Sequence, residues 1–184
     1  MKEYEKMLAN QQYDYTDPEV QQHILRAHNA MRKFNQCGAW DMDELHRCKL
    51  ELLPHAHPSA LVIPPFHCDH GDRIEIGEGC VINFGGNFLD GGGIKIGRNV
   101  QIGPGCFLLT PDHPHDPIER RNTVETGRPI SIGDDTWLGG NVTVCPGVKI
   151  GSRSIVAAGS VVVKDVPDDV VVAGNPAVIK KHLN

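Results

Sequence analysis

An apolar residue, mostly Ile or Val, returns at every sixth position along the second half of the chain, often with glycine after it. Ile132-Gly133, Leu138-Gly139, Val144, Ile150-Gly151, Val156 and Val162 keep the count without a break, and Ile96-Gly97, Ile102-Gly103 and Leu108 hold the same phase upstream. Ile76-Gly77, Ile82, Phe88 and Ile94 form an earlier run offset by two residues. A period of six matches neither the 3.6 of a helix nor the plain 2 of a strand. It predicts a parallel β-helix of hexapeptide repeats, in which each unit supplies one short flat strand and one corner.

The pattern elsewhere divides the chain further. Residues 2–36 read as helical: Asp17-Pro18-Glu19 supplies an N-cap and a first-turn proline, and Val20, Ile24, Ala27, Met31 and Phe34 then form one apolar stripe. A second short helix runs from Asp43 to Leu53 and is closed by Pro54. The expected organisation is therefore a helical segment over residues 1–54, a β-helix over 55–173 whose first coil is imperfect, and a tail over 174–184 that begins a short basic helix. Residues 110–129 carry no hydrophobic period, yet the register resumes in phase after them, so they form a loop thrown out of the coil. Long loops on rigid repeats commonly carry function.

Composition agrees with a narrow coil. Aromatic residues are 5% of the chain, against 20 glycines and 13 prolines suited to corners. A net charge of −5 disfavours nucleic acid as a partner. No apolar run reaches membrane-spanning length and the N-terminus lacks a signal-peptide pattern, so a cytoplasmic protein is expected. The six cysteines form no CxxC, and reduced thiols are the expected state.

Together, repeat and loop resemble the maltose/galactoside O-acetyltransferases of the hexapeptide-repeat superfamily. The likeness covers nearly the whole chain and rests on Glu5-Lys6-Met7-Leu8-Ala9, Pro65-Phe66-His67-Cys68-Asp69, the coil from Ile82-Asn83-Phe84 to Leu89-Asp90, and the loop His113-Pro114…Asp116-Pro117…Glu119-Arg120. Trp137-Leu138-Gly139-Gly140, Val163-Lys164-Asp165-Val166-Pro167 and Ala173-Gly174-Asn175-Pro176-Ala177 complete the series. The resemblance implies a left-handed β-helix, a homotrimer with active sites between subunits, and acetyl-CoA as co-substrate with no metal required.

Moving acetyl from a thioester to a hydroxyl needs a base, and histidine titrates in the right range. His113, in the loop and before a proline, matches the family's catalytic histidine; His115 has no family counterpart. Asn83 and Asp69 match acceptor-binding positions, and a sugar is read by short amides and carboxylates on a rigid wall. Asp90 and Tyr15 are further acceptor-side positions, although Asp90 could equally bond backbone at a corner. Glu125 either orients His113, closes over the ligand, or is an ordinary exposed glutamate. For acetyl-CoA the resemblance implies Trp137, Gly140, Ala158, Val163, Lys164, Val178 and Lys181. Gly140 and Ala158 stand 18 residues apart and should stack on one face, Trp137 should point outward, and Val178 replaces an arginine of some members. No Ser or Cys in the loop accompanies His113, which favours direct attack over an acetyl-enzyme.

Three other readings compete. A γ-type carbonic anhydrase shares the coil but needs three histidines around zinc, and the wall positions Asn83 and Asp90 are not histidines. An assembly scaffold needs no loop histidine. Acetyl transfer to serine or to a xenobiotic hydroxyl stays closest to the sugar reading, and the N-terminal helices favour the sugar branch.

Overall fold

The computed structural model describes residues 1–38 and 41–183. From about Leu61 onward the chain winds into a solenoid of about six turns with three flat faces. The four-stranded face contains Ile74–Ile76, Ile94–Ile96, Ile130–Ile132 and Lys149–Ile150. The five-stranded face contains Phe66–Cys68, Gly86–Leu89, Phe107–Leu109, Thr143–Val144 and Val161–Val162. The seven-stranded face contains Leu61–Val62, Val81–Ile82, Gln101–Ile102, Trp137–Leu138, Ile155–Val156, Val170–Ala173 and Val178–His182. The hexapeptide positions Ile76, Ile82, Phe88, Ile96, Ile102, Leu108, Ile132, Leu138, Val144, Ile150, Val156 and Val162 all point inward and are buried.

Strand register explains both irregularities of the period. Ile132 faces Ile150, Leu138 faces Val156 and Val144 faces Val162, each a step of 18 residues, or three hexapeptides. In the first coils Ile76 faces Ile96, Ile82 faces Ile102 and Phe88 faces Leu108, each a step of 20. The two extra residues per coil fall at the edge between the five-stranded and four-stranded faces, at Asp69–Arg73 and Asp90–Gly93, and they produce the phase offset. One coil later the same edge throws out the loop. Across it Ile96 faces Ile132, a step of 36, so the loop occupies the length of one further regular coil and the period survives it.

Glycine follows the inward residue because successive coils touch there. A Cβ at Gly103 would lie 2.6 Å from the Gly140 amide nitrogen, and one at Gly139 would lie 2.6 Å from that of Ala158. At the edge between the four-stranded and seven-stranded faces, the left-handed turn residues Asn99, Asp135 and Arg153 stand over one another, with Asn99 Nδ2 donating to Asp135 Oδ1 at 3.0 Å.

The N-terminal part departs from the expected continuous helix. Helix α1 (Glu3–Leu8) ends at Asn10, whose φ of 54° is left-handed. Tyr13–Asp14 is then a strand, and helix α2 (Pro18–Gln36) follows, with Asp17 accepting from the amides of Glu19 and Val20 as anticipated. Helix α3 spans Met42–Leu52. Of the predicted stripe on α2, Val20, Ala27 and Phe34 are fully buried, the last two in the same core as the coil. Asn35 fixes α2 to the first coil by accepting from the Phe66 amide at 2.8 Å and donating to the Phe66 carbonyl at 2.9 Å. The buried Lys49 ammonium binds the carbonyls of His57, Pro58 and Ala60 and closes the end of the coil.

The expected short basic helix at the C-terminus is instead a strand. Val178–His182 pairs antiparallel with Val170–Ala173, because the open edge of the seven-stranded face offers unpaired backbone groups and Val178-Ile179 suits an extended chain. All six cysteines are free. Among the described residues no helix is long and apolar enough to cross a membrane.

Candidate active site

The loop is more ordered than its lack of period implies. Pro111–Asp112 and Val124–Gly127 pair antiparallel, and Arg128 donates its amide to the Thr110 carbonyl at 2.9 Å, closing the neck. Tyr13–Asp14 adds a third strand on the other side of Val124–Gly127, with Tyr13 opposite Glu125 and Asp14 opposite Val124. His113 thus follows directly from a strand of a small sheet, which fixes its backbone.

The imidazole is oriented through its own backbone neighbourhood. His113 Nδ1 lies 3.2 Å from the Val124 carbonyl oxygen. A carbonyl only accepts, so in the neutral imidazole Nδ1 carries the proton and Nε2 the lone pair. Nε2 faces Glu125 Oε2 at 3.9 Å, beyond a direct hydrogen bond. Glu125 therefore does not hold the imidazole from behind; it stands beside Nε2, across a gap, and its side chain keeps only 15% of its exposure. The Tyr15 ring meets His113 edge-on with centroids 6.2 Å apart. His115 is exposed, and its carbonyl accepts from Arg120 Nη1 at 3.2 Å. The hollow beside His113, about 300 Å³, is lined by Gln12, Asp112, Pro114, His115, Glu119, Thr126 and Arg128. A larger concavity, about 790 Å³, lies over the charged four-stranded face and shares no residue with this group.

Behind Glu125 lie two carboxyls. Burial, with the charges of Asp90 and Glu125, pushes the Asp69 carboxyl up to about 7. Asp90 corrects the acceptor-side expectation. It is fully buried and accepts from the amides of Asp69 at 3.1 Å, His70 at 2.9 Å and Gly71 at 2.8 Å, which fastens one coil corner to the next. Burial raises it to about 6 against the pull of those amides.

Asp69 has a consequence for stability. Between about pH 4 and 7 the folded chain keeps a proton that the unfolded chain has released, so stability falls as pH rises through that window and is level above it. Asp69→Asn removes this dependence. Its melting temperature should match the parent near pH 4 and exceed it by roughly 5 °C at pH 8, on the order of 2 kcal/mol. The buried His70, lowered to about 4 chiefly by desolvation, acts in the opposite direction in both proteins and cancels from the difference. A pH-independent difference in thermal melts would show that Asp69 is ionised in the fold.

The remaining expected residues do not converge on His113 within one chain. Asn83, Gly140 and Ala158 lie on the edge between the seven-stranded and five-stranded faces, while the loop, Asp69, Val163 and Lys164 lie on the edge between the five-stranded and four-stranded faces. Gly140 and Ala158 do stack, with Gly159 donating to the Gly140 carbonyl at 2.9 Å. Trp137 points outward and is 52% exposed, flanked by Gln101 and Ile155 on the seven-stranded face that also carries Val178 and Lys181. Asn83 Oδ1 accepts from the Phe84 amide at 2.8 Å, and its NH₂ has no acceptor among the described residues. Among the described residues no three His, Cys, Asp or Glu side chains are grouped to hold a metal ion. Tyr13, Asp14 and Thr123, which build the small sheet, were not legible as site residues. The alternation Tyr13-Asp14-Tyr15-Thr16 before the Asp17 cap is the signal for a strand there.

Two family models match the chain: "Bacterial transferase hexapeptide (six repeats)" over residues 129–164 and "Maltose acetyltransferase hexapeptide capping motif" over residues 6–55. Nodulation protein L of Rhizobium meliloti is 40% identical over 176 residues, covering 96% of each chain. The crystal structure of a maltose O-acetyltransferase from Clostridium difficile superposes with a TM-score of 0.97 at 33% identity, covering 100% of this chain and 98% of that one. A hexapeptide-repeat acetyltransferase of Vibrio cholerae, crystallised with acetyl coenzyme A, is 40% identical with a TM-score of 0.91 and full coverage of both chains. The solenoid is thus the left-handed β-helix of the hexapeptide-repeat acyltransferases. The chain belongs to the maltose/galactoside O-acetyltransferase family, and it is an acetyltransferase.

Proposed function

We propose that the protein transfers acetyl from acetyl-CoA to a sugar hydroxyl, with His113 as general base, in sites shared between subunits of a homotrimer. The observation that carries this is the imidazole whose Nδ1 is tied to the Val124 carbonyl, leaving Nε2 basic beside Glu125. The acceptor hydroxyl gives its proton to Nε2 as its oxygen forms a bond to the thioester carbonyl carbon. Expulsion of the CoA sulfur then completes the exchange, and the imidazolium returns the proton to that sulfur. Asp69, Glu125 and the Asn83 amide supply acceptors and donors for neighbouring hydroxyls. Trp137, Gly140, Ala158, Val178 and Lys181 line one wall for the CoA arm, and Val163 with Lys164 lie on the opposing edge.

Surface chemistry supports the trimer. The outward residues of the four-stranded face are Glu75, Lys95, Ser131 and Lys149, those of a solvated wall. The outward row of the seven-stranded face is mostly apolar, Leu61, Val81, Gln101, Trp137, Ile155 and Val171, and that of the five-stranded face runs from polar His67 and Asn87 to Phe107, Thr143 and Val161. Both faces border the edge that carries Asn83, Gly140 and Ala158, and exposed apolar side chains such as Phe107 and Trp137 beside it suit a protein contact. Joining that edge to a neighbour's loop edge is a heterologous contact, which closes as a ring; we take the ring to have three members, as the resemblance implies. Cytoplasmic residence fits the six free thiols.

The test is acetyl-CoA-dependent release of free thiol over a panel of sugars and non-sugar hydroxyl acceptors. Sugars should be preferred, and double-reciprocal initial-rate lines should intersect, as both substrates are bound together. Preference for serine or a xenobiotic would overturn the acceptor class. Parallel lines, or an acetylated peptide after acetyl-CoA alone, would overturn direct attack.

A further inference from the structure

The N-terminal strand reaches the reacting group through a side chain that the site described so far does not use. Tyr13 is 2% exposed, and its hydroxyl donates to Glu125 Oε1. Glu125 Oε2, the other oxygen of the same carboxylate, is the atom that faces His113 Nε2 at 3.9 Å. Gly91, at the coil corner behind them, leaves just enough room: a Cβ there would lie 3.1 Å from Tyr13 Oη and 3.5 Å from Glu125 Oε1. Three separate parts of the chain, the Tyr13–Asp14 strand, the loop and the corner at Gly91, therefore meet at one carboxylate oxygen.

We propose that Tyr13 is a positioning residue: its hydroxyl holds one oxygen of Glu125 so that the other stays beside the basic nitrogen of His113. This rests on the reading of His113 as the base. A carboxylate so little exposed and close to the Asp69 carboxyl has reason to swing away toward water. A donor fixed on the far side from His113 prevents this and selects a single rotamer. The phenol is suited to that task, because burial and the adjoining Glu125 carboxylate raise its pKa and keep it protonated. The fixed gap between Oε2 and Nε2 leaves space for an acceptor hydroxyl that donates to Nε2, with Oε2 placed to stabilise the imidazolium that forms. The phenol touches neither the substrate nor the imidazole, so its effect on turnover passes through Glu125 alone.

Such a chain predicts non-additivity. Tyr13→Phe, which keeps the buried ring, should lower kcat about tenfold to a hundredfold, the effect of a lost hydrogen bond to a charged group, with KM for acetyl-CoA unchanged. Glu125→Gln should lower kcat by at least as much, and adding Tyr13→Phe to it should cost little more. Gly91→Ala, which displaces the hydroxyl without deleting it, should lower kcat in the parent and not in the Glu125→Gln background; it also decides the matter should Tyr13→Phe fold poorly. Multiplicative losses in the double variants, or a kcat within twofold of the parent for Tyr13→Phe or, where that variant fails to fold, for Gly91→Ala, would overturn the proposal. A lower melting temperature with kcat intact would mark Tyr13 as merely structural. The underlying reading fails separately: full activity in His113→Ala removes the base, whereas an inactive His113→Ala with a multiplicative cycle removes only the role of Tyr13.

Discussion

His113→Ala should keep the coil and lose about a hundred- to ten-thousand-fold of turnover, the usual cost of removing a general base. The side chain is half exposed and among the described residues bonds only to a backbone carbonyl, so no packed core depends on it. Melting temperature and acetyl-CoA affinity should therefore stay close to those of the parent, and the loss should fall on kcat. His115→Ala is the internal control: that imidazole shares the loop but not the contact with Val124, and its removal should change turnover less than threefold or so. Equal losses in the two variants, measured by thiol release at saturating acetyl-CoA, would remove His113 from its role.

Two nearly inactive variants should restore one another when mixed. Asn83 and His113 lie on different edges of the coil, so a site containing both takes each from a different subunit. Asn83→Ala and His113→Ala should each be strongly impaired alone. Unfolded together and refolded, or co-expressed, they should form mixed rings in which about one site in four pairs an intact His113 with an intact Asn83, by random association of a heterologous contact. Activity near a quarter of the parent's is the expected reading, with the recovered species sedimenting as a trimer. A mixture no more active than its components would place both residues in one subunit's site or show that Asn83 is not part of it.

The coil was legible because its energetics are local and repetitive. Each inward Ile or Val meets its counterpart one coil away, and the same steric demand writes glycine after it, so spacing alone carries the architecture. The loop that carries His113 was legible through the break in that spacing. Features governed by distant pairing were not. Tyr13–Asp14 lies between two helices and becomes a strand only because Val124–Gly127 offers it an edge. Val178–His182 reads as a short basic helix until the open edge of the seven-stranded face claims it. Asp90 has the same composition as an acceptor contact, and only its burial under three amides distinguishes it. The placement of Asn83 on the same edge as Gly140 and Ala158 was obscured by the two-residue lengthening of the early coils, which shifts the phase between them.

The closed neck of the loop has an evolutionary consequence. Because Thr110 and Arg128 meet across it and the strands on either side keep phase, the outer part of the loop, residues 114–122, can be exchanged, lengthened or shortened while the coils before and after continue to stack. In a solenoid stability accumulates between neighbouring coils, so this outer part behaves as a cassette plugged into a scaffold that scarcely feels its content. Insertions and deletions there are the changes this architecture absorbs at least cost.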